Sequence, residues 1–138
     1  MYTTETKLRV RYAETDKMGY CYYGNYAEYF EVGRVEALRA LGATYKEMED
    51  NGVMLPVLSF SIKYFKPAFY DDLLTIKTTI TELPTTRLHF TYETINENNV
   101  VLNKAETTLA FIDMKTGKPC HAPDWFMKKM NPFFTDKE

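Results

Sequence analysis

Residues 11–42 read RYAETDKMGYCYYGNYAEYFEVGRVEALRALG and decide the fold. The stretch divides into an acidic turn that contains glycines and one amphipathic helix, predicted from about Asn25 to Leu41. Gly24 or Asn25 can cap the start of this helix, and Gly42 is of the residue type that most often ends one. Glu28 and Glu31 lie in the first half of the helix and Arg34 and Arg39 in the second, as the helix macrodipole favours. The helix is therefore predicted to begin directly after the turn.

The apolar residues of this helix recur with the spacing of a single buried stripe. Gly33 lies in the middle of the stripe, where a glycine costs roughly 1 kcal/mol relative to alanine. We therefore expect another part of the backbone to approach the helix closely at this position. The helix is predicted to lie against a sheet. The stripe contains Tyr26, Tyr29, Phe30, Gly33, Ala37, Ala40 and Leu41, and Val35 and Leu38 widen it.

The length and composition of the chain limit its class. At 138 residues it is predicted to form a single domain over residues 1–138. Its 17 Lys and Arg against 19 Asp and Glu give a formal charge of −2, which leaves no basic field for a nucleic-acid backbone. No apolar run approaches the roughly 18 residues of a membrane span. We expect a protein with neither a nucleic-acid nor a membrane partner.

The cysteines and the first residues of the chain indicate the compartment. Cys21 and Cys120 form no CxxC pair, and the start MYTTETKLRV lacks the apolar segment of a signal peptide. Neither a disulfide framework nor export is therefore indicated. The expected location is the cytoplasm.

Alternating apolar and polar residues predict five strands around the helix. One strand precedes the acidic turn, and the other four follow the helix in succession, which suits an antiparallel meander. The domain is therefore predicted to be α+β, with one helix packed on the sheet. The last residues, 135–138, are predicted to be frayed. Strands are predicted at residues 7–12, 57–64, 74–80, 88–92 and 101–113, and short helices at residues 44–51 and after Ala122.

Two groups of motifs resemble those of one enzyme family. The more specific group is Arg11-Tyr12, Thr15-Asp16-x-x-Gly19, Tyr22, Gly24-Asn25-Tyr26, Tyr29-Phe30-Glu31, Arg34 and Leu38-Arg39. The weaker group is Tyr64, Lys66-Pro67-Ala68 and Asp72-x-Leu74. Over nearly its full length the chain resembles the hot-dog-fold acyl-CoA thioesterases of the 4-hydroxybenzoyl-CoA thioesterase family.

The resemblance implies a curved, antiparallel five-stranded sheet wrapped around the long helix. It also implies a homodimer or homotetramer in which active sites form between two subunits. The family's catalytic carboxylate maps to Asp16, and its carbonyl-polarising backbone N–H maps to Tyr23, with Gly24 adjacent. Many relatives have a histidine where this sequence has Tyr23. Any contribution of that imidazole is therefore absent here or supplied differently.

Hydrolysis of a thioester needs a nucleophile or an activated water, and hydrogen-bond donors for the oxygen that becomes negative. Asp16 is predicted to be the nucleophile or the general base, and the N–H groups at the helix start are predicted to polarise the carbonyl. The structural alternative is that Asp16 merely caps its own turn. Tyr22, Asn25 and Tyr26 are predicted to contact the substrate, although core packing explains Tyr26 equally well.

The predicted function is hydrolysis of an acyl-CoA to a free acid and CoA, without cofactor or metal. An acyl-ACP thioesterase and a non-catalytic acyl-binding hot-dog protein are the alternatives. A hot-dog hydratase needs a histidine near the helix start, which neither His89 nor His121 provides. These two histidines have no acidic or thiol cluster near them, so we predict no metal site.

Two further side chains near the turn have predicted roles. Cys21 is expected to be a buried or pocket-lining thiol, because it has no imidazole partner near it in the sequence. Glu31 could be a carboxylate that supports the catalytic groups, but a surface ion pair with Arg34 at i, i+3 spacing is favoured.

Overall fold

One long helix packs against a five-stranded antiparallel sheet in the structure, a computed structural model that describes residues 1–135. The fold is therefore α+β, as the sequence predicts. Two shorter helices and a two-stranded ribbon complete the described elements. In chain order these elements are β1 (Tyr2–Arg9), α1 (Asn25–Leu41), α2 (Tyr45–Asp50), β2 (Val53–Met54), β3 (Val57–Tyr64), β4 (Leu73–Ile80), β5 (Arg87–Ile95), β6 (Val101–Ala110), β7 (Ile112–Asp113) and α3 (Asp124–Met130).

The strands of the main sheet lie in the order β1-β4-β5-β6-β3, and every neighbouring pair is antiparallel. Strands β4, β5 and β6 form the predicted meander. β3 does not join it at β4 but pairs with β6 at the opposite edge of the sheet. The prediction of a four-strand meander is therefore wrong for β3, because an alternating pattern defines the faces of a strand and not its neighbour.

β1 ends three residues before Tyr12, where the alternating pattern predicts a continuing strand. A 3₁₀ turn follows, in which the Glu14 N–H donates to the Arg11 carbonyl and the Glu14 carboxylate accepts the Arg11 N–H. Val10 is buried, whereas Tyr12 is 78% exposed. The chain therefore leaves the sheet before it reaches the acidic turn.

Helix α1 spans the predicted range, and Gly42 ends it with a left-handed φ of 85°. Most of the predicted stripe faces the core, from Tyr26 to Ala37. At the C-terminal end the buried residue is Leu38, whereas Ala40 is exposed. The predicted stripe is therefore correct except in the last turn.

Arg34 lies on the buried face of α1, with 8% of its surface exposed. Its Nε donates a hydrogen bond of 2.8 Å to the hydroxyl of Tyr45, the first residue of α2. Burial raises the pKa of Tyr45 to about 12, so the phenol stays neutral at physiological pH. The predicted surface pair of Arg34 with Glu31 is therefore wrong, because the packing of α2 against α1 supplies a different partner.

The other predicted elements are present, with small shifts in their bounds. α2 begins after Thr44, whose hydroxyl accepts a hydrogen bond from the Glu47 N–H. The predicted fifth strand is divided into β6 and β7, and Leu109 and Phe111 are fully buried as predicted. Residues 136–138 of the predicted frayed tail lie outside the described residues.

Gly33 allows α1 to lie close to β4, and the groups that approach it are side chains of that strand. A β-carbon at residue 33 would lie 2.6 Å from Thr78 Oγ1 and 2.9 Å from Ile76 Cγ2. Both distances are shorter than a van der Waals contact. The glycine therefore sets the separation of helix and sheet, as its position in the stripe predicts, although the expected backbone contact is a side-chain contact.

We expect Gly33→Ala to lower the free energy of unfolding by up to about 2 kcal/mol. Overpacking a core costs about 1–3 kcal/mol, and about 1 kcal/mol of gained helix propensity offsets only part of that cost. Denaturant unfolding measures the effect. In a Thr78→Ala background the penalty should shrink, since the nearest atom is removed and Thr78 Oγ1 makes no hydrogen bond within residues 1–135. Equal penalties in both backgrounds would contradict this explanation.

Candidate active site

The acidic turn at residues 15–21 is closed by main-chain hydrogen bonds and by the side chain of Asp16. The Asp16 N–H donates to the Tyr20 carbonyl at 2.8 Å, and the Gly19 N–H donates to the Asp16 carbonyl at 2.9 Å. Asp16 Oδ1 accepts the N–H groups of Met18 at 2.9 Å and of Tyr20 at 3.2 Å. Within residues 1–135, Asp16 Oδ2 accepts no hydrogen bond. Asp16 therefore caps its own turn with one carboxylate oxygen and keeps the other available.

The segment between the turn and α1 is anchored on both sides. The Tyr22 N–H donates to the Glu14 carbonyl at 2.8 Å, and the Asn25 N–H donates to the Tyr22 carbonyl at 3.0 Å. In the described part of the chain, the N–H groups of Tyr23 and Gly24 donate no hydrogen bond. They lie at the partially positive end of a 17-residue helix. This end is therefore suited to bind a developing negative charge.

A cavity of about 400 Å³ opens between the turn, the start of α1 and residues 64–67. Its wall is mostly aromatic and apolar, with Asp16 and Lys66 as charged residues, an arrangement typical of small-molecule sites. Three predicted site residues, Asp16, Tyr23 and Tyr26, meet here. The cavity is lined by Asp16, Met18, Tyr20, Cys21, Tyr23, Tyr26, Tyr64, Phe65, Lys66 and Pro67.

The other predicted site residues, Tyr22, Gly24 and Asn25, lie beside the cavity and not in its wall. The Tyr22 ring covers Gly24 so closely that a β-carbon at residue 24 would lie 2.7 Å from Tyr22 Cε2. The Asn25 side-chain amide donates to the Glu14 carbonyl at 2.7 Å. These contacts order the helix start. The substrate contacts of Tyr22 and Asn25 stay predictions.

Tyr26 belongs both to the cavity wall and to the core. Its ring centroid lies 5.6 Å from that of Tyr29, 6.2 Å from that of Phe30 and 5.9 Å from that of Tyr64. Burial raises the pKa of Tyr26 well above its ordinary value, so the phenol is neutral. Core packing and contact with a substrate are therefore compatible roles for Tyr26.

Glu14 is a buried carboxylate next to the site that the sequence reasoning missed. Its Oε1 accepts the Arg11 N–H at 2.9 Å and the Tyr29 hydroxyl at 2.7 Å. Burial alone would raise the pKa of Glu14, but the hydrogen bonds from Arg11 and Tyr29 outweigh burial and hold the pKa below its usual value. Glu14 is therefore ionised at neutral pH. The available signal was the i, i+3 spacing of Arg11 and Glu14, which is that of a capping box.

Cys21 is a buried thiol in the cavity wall, as predicted. Its Sγ donates a hydrogen bond of 3.4 Å to the Tyr29 hydroxyl, which in turn donates to Glu14. Burial raises the pKa of the Cys21 thiol. The protonated thiol is therefore a structural part of the wall and a poor nucleophile.

A second cavity, of about 690 Å³, lies along the strands β3 to β6. Charged residues alternate across it, because Lys77, Glu93 and Lys104 are neighbours in the strand register. Lys104 Nζ lies 3.5 Å from Glu93 Oε2. The cavity contains neither Asp16 nor the start of α1 and shares only Phe65 with the smaller one. The smaller cavity is therefore the candidate active site.

No group of three or more His, Cys, Asp or Glu side chains within residues 1–135 is arranged to hold a metal ion. No helix in this part of the chain is long and apolar enough to cross a membrane.

A family model and two known proteins that are similar to this chain agree in kind, because each is named as a thioesterase, a thioester hydrolase or thioesterase-like. The family model of the thioesterase-like superfamily matches residues 10–130. The chain is 33% identical over 129 residues to the putative acyl-CoA thioesterase YneP of Bacillus subtilis, covering 91% of this chain and 94% of that protein. It is 34% identical over 116 residues to the acyl-CoA thioester hydrolase YbgC of Escherichia coli, covering 84% and 87%.

The structure is also similar to solved structures. It resembles the crystal structure of a DHNA-CoA thioesterase from Staphylococcus aureus with a TM-score of 0.89 and 35% sequence identity, covering 97% of this chain and 92% of that one. The arrangement of one helix on a five-stranded antiparallel sheet is thus the same as in that thioesterase.

We expect Cys21 to react with a thiol reagent at least about tenfold more slowly than Cys120 in the folded protein, because only an accessible thiolate reacts. Cys21 is buried and hydrogen-bonded, whereas Cys120 is partly exposed. Timed labelling of a Cys120→Ser variant measures Cys21 alone, with the unfolded variant as the control. Labelling of folded Cys21 at the rate of the unfolded protein would contradict the buried placement.

Proposed function

The chain belongs to the thioesterase-like superfamily, with the hot-dog fold that its motifs predict, and we propose that it is an acyl-CoA thioesterase. It hydrolyses an acyl-CoA to a free acid and CoA. The observation that carries this proposal is the meeting of Asp16 and the start of α1 at one apolar cavity. The relatives from Bacillus subtilis and Escherichia coli are named as a putative acyl-CoA thioesterase and an acyl-CoA thioester hydrolase, which supports the same substrate class. The narrower assignment to the 4-hydroxybenzoyl-CoA thioesterases stays a prediction.

The start of α1 supplies the electrophilic half of the site. The thioester carbonyl oxygen accepts hydrogen bonds from the N–H groups of Tyr23 and Gly24. Within the described residues, these two N–H groups donate to no other acceptor. These bonds strengthen as the oxygen becomes negative in the tetrahedral transition state. One such donor typically contributes about 100- to 1,000-fold to the rate.

Asp16 supplies the other half, by one of two routes. As a general base, it takes a proton from a water that attacks the carbonyl carbon, and the tetrahedral intermediate then expels the CoA thiolate. As a nucleophile, its carboxylate attacks the carbonyl, CoA leaves as the thiolate, and water hydrolyses the resulting anhydride. Oδ2 is the oxygen for either role, because Oδ1 holds the turn.

Tyr23 and Tyr26 place aromatic rings in the wall that receives the acyl group. Tyr22 and Asn25 are the chain neighbours of Tyr23 and Tyr26, and we propose that they contact the substrate. The side chain of Tyr23 offers no imidazole, so the reaction depends on Asp16 and the helix start. No cofactor or metal takes part in the proposed reaction. Its proposed location is the cytoplasm, which suits two free cysteines.

We propose that the protein is a homodimer, alone or as half of a homotetramer, joined along β3. Within residues 1–135, this edge strand pairs on one side only, with β6. Apart from the partly buried Ile62, its apolar side chains are 41–51% exposed, which is unusual for an unprotected edge. A partner on this edge would also close the cavity, since Tyr64 and Phe65 belong to both. The exposed apolar residues are Val57, Leu58, Phe60, Tyr64 and Phe65.

We expect Asp16→Asn to reduce turnover of acyl-CoA by about 100- to 10,000-fold or more, the contribution of a positioned acid–base group. The variant should keep its melting temperature and its affinity for acyl-CoA, because the amide oxygen still accepts the N–H groups of Met18 and Tyr20. Release of CoA from a panel of acyl-CoAs measures turnover.

The matched control for this experiment is Asp72→Asn. Asp72 Oδ2 accepts the Phe69 N–H at 2.8 Å, so Asp72 also caps a turn, but it lies outside the cavity. Its variant should retain turnover. Near-normal hydrolysis by folded Asp16→Asn would remove the proposed role of this residue, and a wild-type protein that binds acyl-CoA without releasing CoA would remove the proposed activity.

We expect a solution mass of at least twice the 16.2 kDa of one chain. Leu58→Glu should lower this mass, since it places charges on an apolar edge that two copies share. Tyr12→Glu changes an exposed aromatic residue away from β3 and serves as the control. Light scattering measures both. A monomeric wild-type protein would be incompatible with the β3 interface.

A further inference from the structure

Glu14 is a carboxylate with only 7% of its surface exposed, and both of its oxygens are occupied. Oε1 accepts the Arg11 N–H and the Tyr29 hydroxyl, at 2.9 and 2.7 Å. Oε2 accepts Arg11 Nε at 3.1 Å and Nη2 at 3.0 Å. A buried carboxylate is costly unless it is fully hydrogen-bonded in this way. The ionised Glu14 is therefore bound to the segment before the turn and to α1.

The main chain of Glu14 extends these connections to the helix start. Its carbonyl oxygen accepts the Tyr22 N–H at 2.8 Å and the Asn25 side-chain amide at 2.7 Å. Tyr22 directly precedes Tyr23, and Asp16 follows Glu14 by two residues. Glu14 is therefore linked both to the turn that carries Asp16 and to the helix start that carries Tyr23. The separation of these two segments defines the site.

The connection also reaches the cavity wall. The Tyr29 hydroxyl donates to Glu14 and accepts a hydrogen bond from Cys21, which lines the cavity. The 3₁₀ turn before the site is already closed without the carboxylate, because Thr15 Oγ1 and N–H both bond to the Tyr12 carbonyl. Closing that turn is therefore not a sufficient reason to bury a charge here.

We propose that Glu14 is a positioning residue for thioester hydrolysis. Its carboxylate holds the turn that carries Asp16 at a constant distance from the N–H groups of Tyr23 and Gly24. This inference rests on the function proposed for the same cavity. Glu14 is not among the described residues that line the cavity, and in this proposal it acts through the geometry of the groups that contact the substrate. A displacement of about 1 Å between such groups costs about 100-fold in rate.

Glu14→Gln tests the proposal directly. The amide oxygen can still accept the Arg11 N–H and the Tyr29 hydroxyl, but the amide nitrogen cannot accept Arg11 Nε and Nη2, so the ion pair with Arg11 is lost. We expect kcat to fall about 10- to 100-fold, with KM changed less than about threefold, because the cavity wall keeps its side chains. A folded Glu14→Gln protein with wild-type kcat would overturn the proposal.

Tyr29→Phe and Tyr2→Phe form a matched pair that separates positioning from stability. Each removes a phenol hydroxyl from α1 or its contacts. Tyr29 donates to Glu14 and accepts from Cys21, whereas Tyr2 donates to the Ala37 carbonyl at 2.6 Å and is not among the residues that line the cavity. Both should lower the melting temperature. Only Tyr29→Phe should lower kcat, by about three- to tenfold, while Tyr2→Phe keeps it.

The pair also decides the case in which Glu14→Gln does not fold. Equal kcat values for Tyr29→Phe and Tyr2→Phe, in a wild-type background that hydrolyses acyl-CoA, would overturn the positioning role and leave the proposed function intact. A wild-type protein that releases no CoA from any acyl-CoA of the panel would instead overturn both.

Discussion

Helix α1 can lie directly on β4 because residue 33 carries no side chain. A β-carbon there would meet Thr78 and Ile76 at distances below 3 Å. Farther along the same contact, the Phe30 ring lies 4.6 Å from the Tyr92 ring, and the Tyr2 hydroxyl bonds to the Ala37 carbonyl. Because several strands hold the helix, its N-terminal end has a defined place beside the acidic turn. The site depends on that placement.

The electrostatics of the site follow from two carboxylates with different surroundings. Glu14 is buried and its charge is neutralised by Arg11, so its carboxylate has a structural role. Asp16 uses one oxygen for its turn and leaves the other beside an apolar cavity. The positive end of α1 supplies the complementary partial charge. In the proposed reaction, Asp16 and the helix start act on the same carbonyl group from separate chain segments, and Glu14 links these segments.

Features that depend on local patterns were predictable from the sequence. The bounds of α1 follow from its charges and from Gly42, and the meander β4 to β6 follows from alternation and short turns. The family motif located Asp16 and Tyr23, which meet at the cavity. Their catalytic roles stay predictions.

Features that depend on contacts distant in sequence were not predictable. The burial of Arg34 depends on Tyr45, which the packing of α2 brings to it, and the i, i+3 spacing with Glu31 suggested a surface pair instead. The burial of Glu14 depends on Tyr29, 15 residues later, and the position of β3 depends on pairing with β6. In each case the sequence pattern described a residue's own element but not the element that packs against it.

The most direct test of the account is whether the helix start binds the reacting carbonyl. We would titrate ¹⁵N-labelled protein with an acyl-CoA analogue in which a methylene group replaces the thioester sulfur, so that the carbonyl remains but no hydrolysis occurs. The account predicts that the amide proton signals of Tyr23 and Gly24 move downfield on binding, as expected for N–H groups that gain an acceptor. Unchanged signals at both residues, with changes confined to the charged cavity along β3 to β6, would contradict it.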